Sequence, residues 1–329
     1  MNQVQHIEIS PRTLLTVLGI LVGIWFLWQI KGIIVLLFVS YILMSAISPI
    51  VDRLQKKGLP RALSVLVPFL VIILSFVLLA IAVVPSIQRE SNAFIAEFGQ
   101  SYKNLVSYLA SMFNISDLKI PADTLGQLPQ QVVQVGINTV SSLFAVVTVA
   151  VLTFYMLLEK DHLYDQLFLL TPRKDNKLIE DILARVEKRL GTWVRGQLLL
   201  MCVVGLMTWV GLTLLGIRFS FALALIAGFL ELIPIIGPIV SAVPAVIIAM
   251  TVSPLLGLLT TLLYIVIQQL ENHLLVPKVM EKAVDLSPLV IIISLMIGGK
   301  LFGLWGALLA VPIVAIIHII LSDIRNTQP

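Results

Sequence analysis

This sequence predicts an all-α polytopic membrane protein of about eight transmembrane or hairpin segments. Two of these are broken, re-entrant-like hairpins in the C-terminal half, and an amphipathic extramembrane helical insert lies between the spans. Three observations carry that reading. First, 59% of the 329 residues are hydrophobic and only 12% are charged, with a mean hydropathy of +1.04. Soluble domains run at about 45–50% apolar and about 25% charged. Second, the apolar residues gather in runs near the ~20 residues that a helix needs to cross the hydrocarbon core, with basic residues in short stretches between them. Third, two apolar regions of the C-terminal half are interrupted by proline, glycine and charge.

In order, Leu14 to Ile30 and Ile33 to Ile50 are nearly uncharged and flank Lys31-Gly32, the pattern of a transmembrane hairpin. The loop from Asp52 to Arg61 carries Arg53, Lys56, Lys57 and Arg61 against one acid. The positive-inside rule puts it in the cytoplasm, and the N-terminus, two crossings earlier, beside it. Leu63 to Val84 is a third span, completing an N-terminal transmembrane unit of residues 1–85. In the insert, 86–131, Phe94, Phe98, Tyr102, Leu105, Leu109 and Phe113 recur at helical spacing among polar residues. Such a face suits packing against the spans or a sister subunit. Residues 132–158 read as a fourth span. Residues 159–196 return to charge, and Ile179, Ile182, Leu183, Val186, Leu190 and Trp193 form one apolar stripe. This predicts a cytoplasmic amphipathic helix on the membrane surface or against the protein's own loops. A fifth span, Leu198 to Leu215, opens the C-terminal region, 197–329.

The organising stretch is ELIPIIGPIVSAVP, Glu231 to Pro244. Pro234, Pro238 and Pro244, with Gly237 between, cannot all lie in one uninterrupted helix, because proline lacks a backbone donor and clashes with the preceding turn. At membrane depth such backbone survives only buried in protein or lining a water-filled cavity. Phe219 to Phe229, too short to cross comfortably, therefore pairs with Ile239 to Met250 as a helical hairpin. Leu255 to Gln269 is a further span, ending in QQLENHLLVPKVM. Leu289 to Ile297 is again short, is broken by Gly298-Gly299-Lys300-Leu301-Phe302-Gly303, and resumes as Leu304 to Leu321. SAVPAVIIA (Ser241 to Ala249) and LAVPIVAII (Leu309 to Ile317) align without a gap. Matching interruptions of this kind point to the binding site of a secondary transporter.

Glu231 is the first candidate for a substrate or ion pathway, since a carboxylate at membrane depth costs a few kcal/mol and is functional by default. Its structural alternative is a cap, or a partner for Arg195 or Lys300. Pro234, Gly237 and Pro238 shape the break. Gln268, Gln269, Glu271 and Asn272 offer donors and acceptors for a hydroxylated solute, or oxygens for a hard cation such as sodium. They equally suit an ordinary polar helix end at the interface. Arg195 and Gln197 stand at the head of the fifth span, where an arginine meets an anionic group, pairs with a carboxylate or snorkels. His318, alone in an apolar run, suits a proton relay or a structural hydrogen bond. No cofactor or metal site is expected. Cys202 is the single cysteine, and His6, His162, His273 and His318 make no ligand-spaced pair. A phosphate-cradling glycine–lysine loop is missing, which argues against ATP-driven pumping. No nucleophile–base set argues for an enzyme, and the basic residues lie in interhelical stretches, which argues against a nucleic-acid partner.

GTWVRGQLLL (Gly191 to Leu200), GFLELIPIIGPIVSAVPA (Gly228 to Ala245), QQLENHLLVPKVM (Gln268 to Met280) and LSPLVIIISLMIGGKLFGLWGALLAVP (Leu286 to Pro312) resemble signatures of the AI-2E family of bacterial transporters. The N-terminal half is similar mainly in its pattern of spans. The resemblance implies an inner-membrane carrier assembled as a homo-oligomer, a pentamer in members of this kind. Activities assigned within the family include export of the signal autoinducer-2 and sodium–proton antiport. The expectation is a multi-pass secondary transporter with both termini cytoplasmic and membrane lipid around it. It would move a small polar solute, an autoinducer-2-type signal before others, by alternating access of the C-terminal hairpins, coupled to a proton or sodium gradient. A monovalent cation–proton antiporter is the alternative, and a channel or structural membrane scaffold the next.

Overall fold

The computed structural model describes residues 11–75, 139–169, 176–280 and 287–326, with a few single positions between 77 and 111. Every regular element among them is a helix. An apolar helix, α1 (Pro11–Gln29), leads into α2 (Lys31–Lys56). The expected transmembrane hairpin between them is not formed. Ile30 alone separates the two, at φ −92° and ψ 9°, and the Ile30 and Ile34 amides donate to the Phe26 and Ile30 carbonyls at 3.1 Å. Gly32 does not take the positive φ that would help reverse the chain, so the junction bends rather than turns back. The described side chains of α1 from Arg12 to Gln29 are accordingly all exposed. Without two antiparallel crossings before the basic loop, the charge pattern no longer places the N-terminus on that loop's side.

Helix α3 (Arg61–Ser75) and helix α4 (Thr139–Leu158) pack with α2. Met44 and Val51 of α2 meet Val65 and Leu157 in a buried cluster, and the Phe69 and Phe154 rings stand edge to face at 5.5 Å. The insert, 86–131, lies outside the described residues apart from single positions, of which Phe98 is 1% exposed. At the end of α4 the Arg61 guanidinium donates to the Leu157 carbonyl at 2.9 Å and pairs with Asp161, satisfying an acceptor that the helix end leaves open.

Helix α5 (Lys160–Leu169) then brings a buried ionic knot to the base of the bundle. Lys160 Nζ pairs with Glu187 and donates to Ser48 Oγ at 2.8 Å, and the Tyr164 hydroxyl donates to Glu187 Oε2 at 2.8 Å. Burial, followed by neighbouring Tyr41 and Glu187, pushes the Tyr164 phenol above its ordinary range. It therefore stays a donor to Glu187.

Helix α6 (Asn176–Leu214) is one 39-residue helix where the sequence suggested an amphipathic helix followed by a span. The intervening TWVRGQ holds no proline, and Gly191 is used for close packing on the Ser45 carbonyl of α2. The apolar stripe of α6 is not spread on a membrane surface. Val186, Leu190, Trp193 and Val194 pack on Ile42 and Ala46 of α2 and on Leu309, Val311 and Ile319 further along the chain. Its other end, at Leu212, enters a second cluster with Phe98, Ile217, Phe219, Leu223, Ala245, Ile248 and Tyr264. One helix thus belongs to both cores.

That second core is built by α7 (Ser220–Leu230), α8 (Ile236–Val252) and α9 (Pro254–Leu270). Ser253 starts α9 by accepting from the Leu256 amide at 3.1 Å, with Pro254 in the first turn. A single π-helical turn, Glu271–Leu275, and the short α10 (Val276–Met280) follow. Helix α11 (Pro288–Asn326) departs from helical geometry at Gly303, φ 61° and ψ −139°. The backbones of Gly298 and Gly306 touch so closely that a Cβ on either would overlap the other's carbonyl. Eight residues of continuous helix would hold them about 12 Å apart, so the chain folds back here into two arms. Four stretches, Lys31–Lys56, Lys177–Leu214, Pro254–Val279 and Leu289–Ser322, are long and apolar enough to cross a membrane, the last of them containing this fold-back. The architecture is that of a multi-pass helical membrane protein.

Replacing Lys160 by Met should lower stability by about 3 kcal/mol, because it leaves the Glu187 carboxylate, 13% exposed, without its cation. The double change Lys160→Met with Glu187→Leu should recover much of that loss. Thermal unfolding in detergent reads both, and a double variant no more stable than Lys160→Met alone would contradict the knot's role.

Candidate functional site

The first interruption closes on its own backbone. Helix α7 ends at Glu231, after which the Leu232 amide donates to Phe229 O at 3.2 Å and the Ile233 amide to Leu230 O at 3.0 Å. Ile236 and Gly237 donate to Pro234 O and Ile233 O at 2.8 and 2.9 Å, and Pro238 has no N–H to satisfy. The Glu231 carbonyl takes Gln197 Nε2 of α6 at 2.6 Å. Two residues bear the cost of the turn. Ile235 sits at φ 70°, uncommon for a β-branched side chain. Gly237 passes so near Leu230 that a Cβ there would overlap the Leu230 carbonyl.

A further irregularity is the π turn after α9, a feature that often marks functional positions. Glu271 opens it and continues the buried face of α9, formed by Gly257, Thr260, Tyr264 and Ile267. The Glu231 and Glu271 carboxyl groups face one another within hydrogen-bonding reach, and they are 1% and 4% exposed. Gln268 Nε2 donates to Glu271 Oε2 at 3.2 Å and to Asn272 Oδ1 at 3.4 Å, while Glu231 Oε2 has no partner. No ion pair involving either acid is seen among the described residues. Two negative charges so placed in apolar surroundings require compensation, by a proton or by a cation. No group of three or more metal-ligating side chains gathers among the described residues. A cation would therefore take the carboxyl oxygens together with amide oxygens of Gln268 and Asn272.

Of the residues singled out in the sequence, Glu231, Gln197, Gln268, Glu271, Asn272, Pro234, Gly237 and Pro238 belong to this neighbourhood. Others stand apart. Arg195 is exposed and donates to the Ala46 carbonyl at 2.9 Å, tying α6 to α2. Gln269 is exposed, and its carbonyl pairs with His273 Nδ1 at 3.0 Å. His318 and Cys202 are exposed away from the pair. Neither Arg195 nor Lys300 is the partner of Glu231. Sequence reasoning missed Thr260 and Tyr264, although with Glu271 they keep to one helical face by three- and four-residue steps through Ile267.

The two broken elements share a plan. Ile235 and Gly303 are the positive-φ residues of the two breaks, and each precedes an internal proline, Pro244 or Pro312, by nine positions. In both, a glycine just past the break packs on a backbone carbonyl just before it.

A polytopic helical bundle with paired helix breaks and a buried acid pair suits a membrane transport protein. The chain belongs to the AI-2E transporter family, whose profile matches residues 14–326. It is 29% identical over 304 residues to YrrI of Bacillus subtilis (strain 168), covering 88% of this chain and 84% of that one. It is 27% identical over 332 residues to PerM of Escherichia coli (strain K12), covering 95% and 93%. It is also 26% identical over 340 residues to the AI-2 transport protein TqsA of the same strain, covering 98% and 95%.

Gly237→Ala should destabilise the protein by about 1–3 kcal/mol, since the added methyl meets backbone that cannot yield. Gly32→Ala, in a helix with nothing near the added atom, should be neutral or slightly stabilising. Equal melting temperatures for the two variants would contradict the close approach at the break.

Proposed function

We propose that this protein is a secondary transporter of the bacterial inner membrane that exports a small polar solute of the autoinducer-2 type, with the Glu231–Glu271 pair at the centre of its pathway. One observation carries the proposal: two carboxyl groups from two interrupted helices meet inside an otherwise apolar unit. Groups of this kind are expensive at membrane depth and are kept for substrate, ion or proton pathways. Gln268 and Asn272 add amide donors and acceptors suited to a hydroxylated solute. The name of the relative TqsA supports the choice of solute.

In this proposal α7, α8 and α9 move as one body and expose the pair to each side in turn. The bundle of α2, α3 and α4 stays fixed, and the breaks at 231–235 and at Gly303 are re-entrant tips inside the membrane. The basic stretches Arg53 to Arg61 and Lys160 to Arg189 face the cytoplasm. A homo-oligomer, a pentamer by family likeness, is supported by α1, which is apolar on every side and exposed along its length. Neighbouring copies and lipid would cover it. The same acid pair favours monovalent cation–proton antiport as a second reading, because both steps of such a cycle need a titratable carboxylate.

Flux into proteoliposomes tests these readings with labelled autoinducer-2 and, separately, with an imposed sodium or proton gradient. Wild type should show saturable movement of the signal, and Glu231→Gln should reduce it by about tenfold or more. Sodium-driven proton movement without signal flux would replace the first reading by the second. Flux untouched by Glu231→Gln would remove the acid from the pathway, and no flux of any kind would remove the carrier.

A further inference from the structure

Among the described residues, five buried side-chain oxygens have no hydrogen-bond partner, namely Glu231 Oε2 and the hydroxyls of Tyr41, Thr208, Thr260 and Tyr264. Four of the five stand in the unit made by α6, α7 and α9. Thr260 and Tyr264 are four residues apart on the buried face of α9 that ends at Glu271. Thr208 is on the facing helix, α6. It is three residues from Gly211, which abuts Leu263, and four from Leu212, which shares a buried cluster with Tyr264. Several threonines elsewhere in the described helices give their hydroxyl to the carbonyl four residues back, as Thr148, Thr153, Thr192 and Thr261 do. Thr208 and Thr260 do not, although both are fully buried. Buried hydroxyls left in this way are served by water.

Among the described residues, one charged side chain stands at the far end of this cluster, Arg218, whose guanidinium lies over the Phe219 ring at 5.3 Å to the centroid. The α7 stretch through Leu230, all of α8, and α6 from Gly205 to Leu214 carry no titratable side chain. Among the described residues, Glu271 on its own helix and Glu231 at the end of α7 are the titratable groups along this face. A sodium ion needs several oxygens converging on one point, and hydroxyls strung along a helix face do not supply that. A proton needs only a succession of groups that each accept one proton and release another.

We infer that Thr208, Thr260 and Tyr264, with water between them, form a proton path from the end of the unit marked by Phe219 and Pro254 down to the Glu231–Glu271 pair. The ion that this path carries to the site is then a proton. At each step a hydroxyl oxygen accepts a proton while its own passes to the next oxygen, so every group along the path is regenerated. At the end one carboxylate of the pair takes the proton and becomes a carboxylic acid. From Tyr264 to Glu271 the helix rises about 10.5 Å, a distance that needs bridging water. The inference rests on the acid pair being the transport site.

Infrared spectroscopy of the full-length protein in lipid nanodiscs tests it through the carboxylic-acid C=O band after transfer to deuterated buffer. Wild type should show a band that disappears in Glu231→Gln or Glu271→Gln. In Tyr264→Phe and in Thr260→Val the band should persist, but its deuterium shift should slow by about tenfold or more. Each of these replacements removes a hydroxyl without a partner and keeps the side chain's shape, so neither should cost stability. A band that survives both glutamine variants overturns the site and the path together. A band that is lost in them but shifts at the wild-type rate in Tyr264→Phe and Thr260→Val overturns the path alone.

Discussion

Backbone that leaves the helix inside an apolar bundle must find its hydrogen bonds within the protein, and much of this fold follows from that need. At the first break four local amide–carbonyl bonds from Leu232, Ile233, Ile236 and Gly237 close the turn, and one side chain from another helix, Gln197, adds a fifth bond, to the Glu231 carbonyl. That single long-range bond fixes the register of α6 against the tip of α7. Close packing then follows from small residues, with Gly205 against the backbone of Ala224 and Gly228. A tip held this way presents Glu231 inward without using its carboxyl group for structure.

The same requirement explains why α6 is unbroken. It is the one helix shared by both major cores. Its first half is gripped by α2 and α11 and tied by the Lys160–Glu187–Tyr164 knot, and its second half carries the broken hairpin. The two halves differ in chemistry. The gripped end uses ions and large side chains such as Trp193, which resist sliding because their partners are specific in position. The hairpin end packs alanine and branched aliphatics with the rings of Phe98, Phe219 and Tyr264, sets Trp209 edge to face on Phe221, and holds no ion pair among the described residues. Helix α6 is the element through which the hairpin is referred to the rest of the bundle.

The fold class was legible because its cause is compositional, and the two breaks because proline and glycine act on the backbone locally. Glu231, Glu271 and Gln197 could likewise be picked out singly, as polar groups beside breaks or apolar runs. Their meeting could not, since it depends on how α6, α7 and α9 pack, and no local rule encodes a contact between residues 231 and 271. The hairpin expected at Lys31-Gly32 shows the opposite failure. Two apolar runs of spanning length imply a turn only if the residues between them can make one, and here helical hydrogen bonding persists on both sides of Ile30. The orphan hydroxyls of Thr208 and Thr260 were invisible for a related reason. A membrane threonine is silent in sequence until it is known whether its hydroxyl bonds backward along its own helix.

The two breaks, finally, bear on why Glu231 is there at all. Shifting the first hairpin by the interval that separates Pro244 from Pro312 lays Ile235 on Gly303 and Glu231 on Gly299. The second break therefore has a positive-φ residue at the corresponding place, a similarly close glycine–carbonyl contact and a downstream proline at the same interval, and no acid where Glu231 stands in the first. Making the turn does not require a carboxylate. Glu231 also lends its carboxyl to no cap and no described ion pair, while one of its oxygens is buried without a partner. A group that is costly to bury and that the turn can do without supports the pathway role proposed for it. Its facing acid, Glu271, lies on a π turn that likewise interrupts an otherwise regular helix, so both members of the pair stand where the backbone has given up regularity.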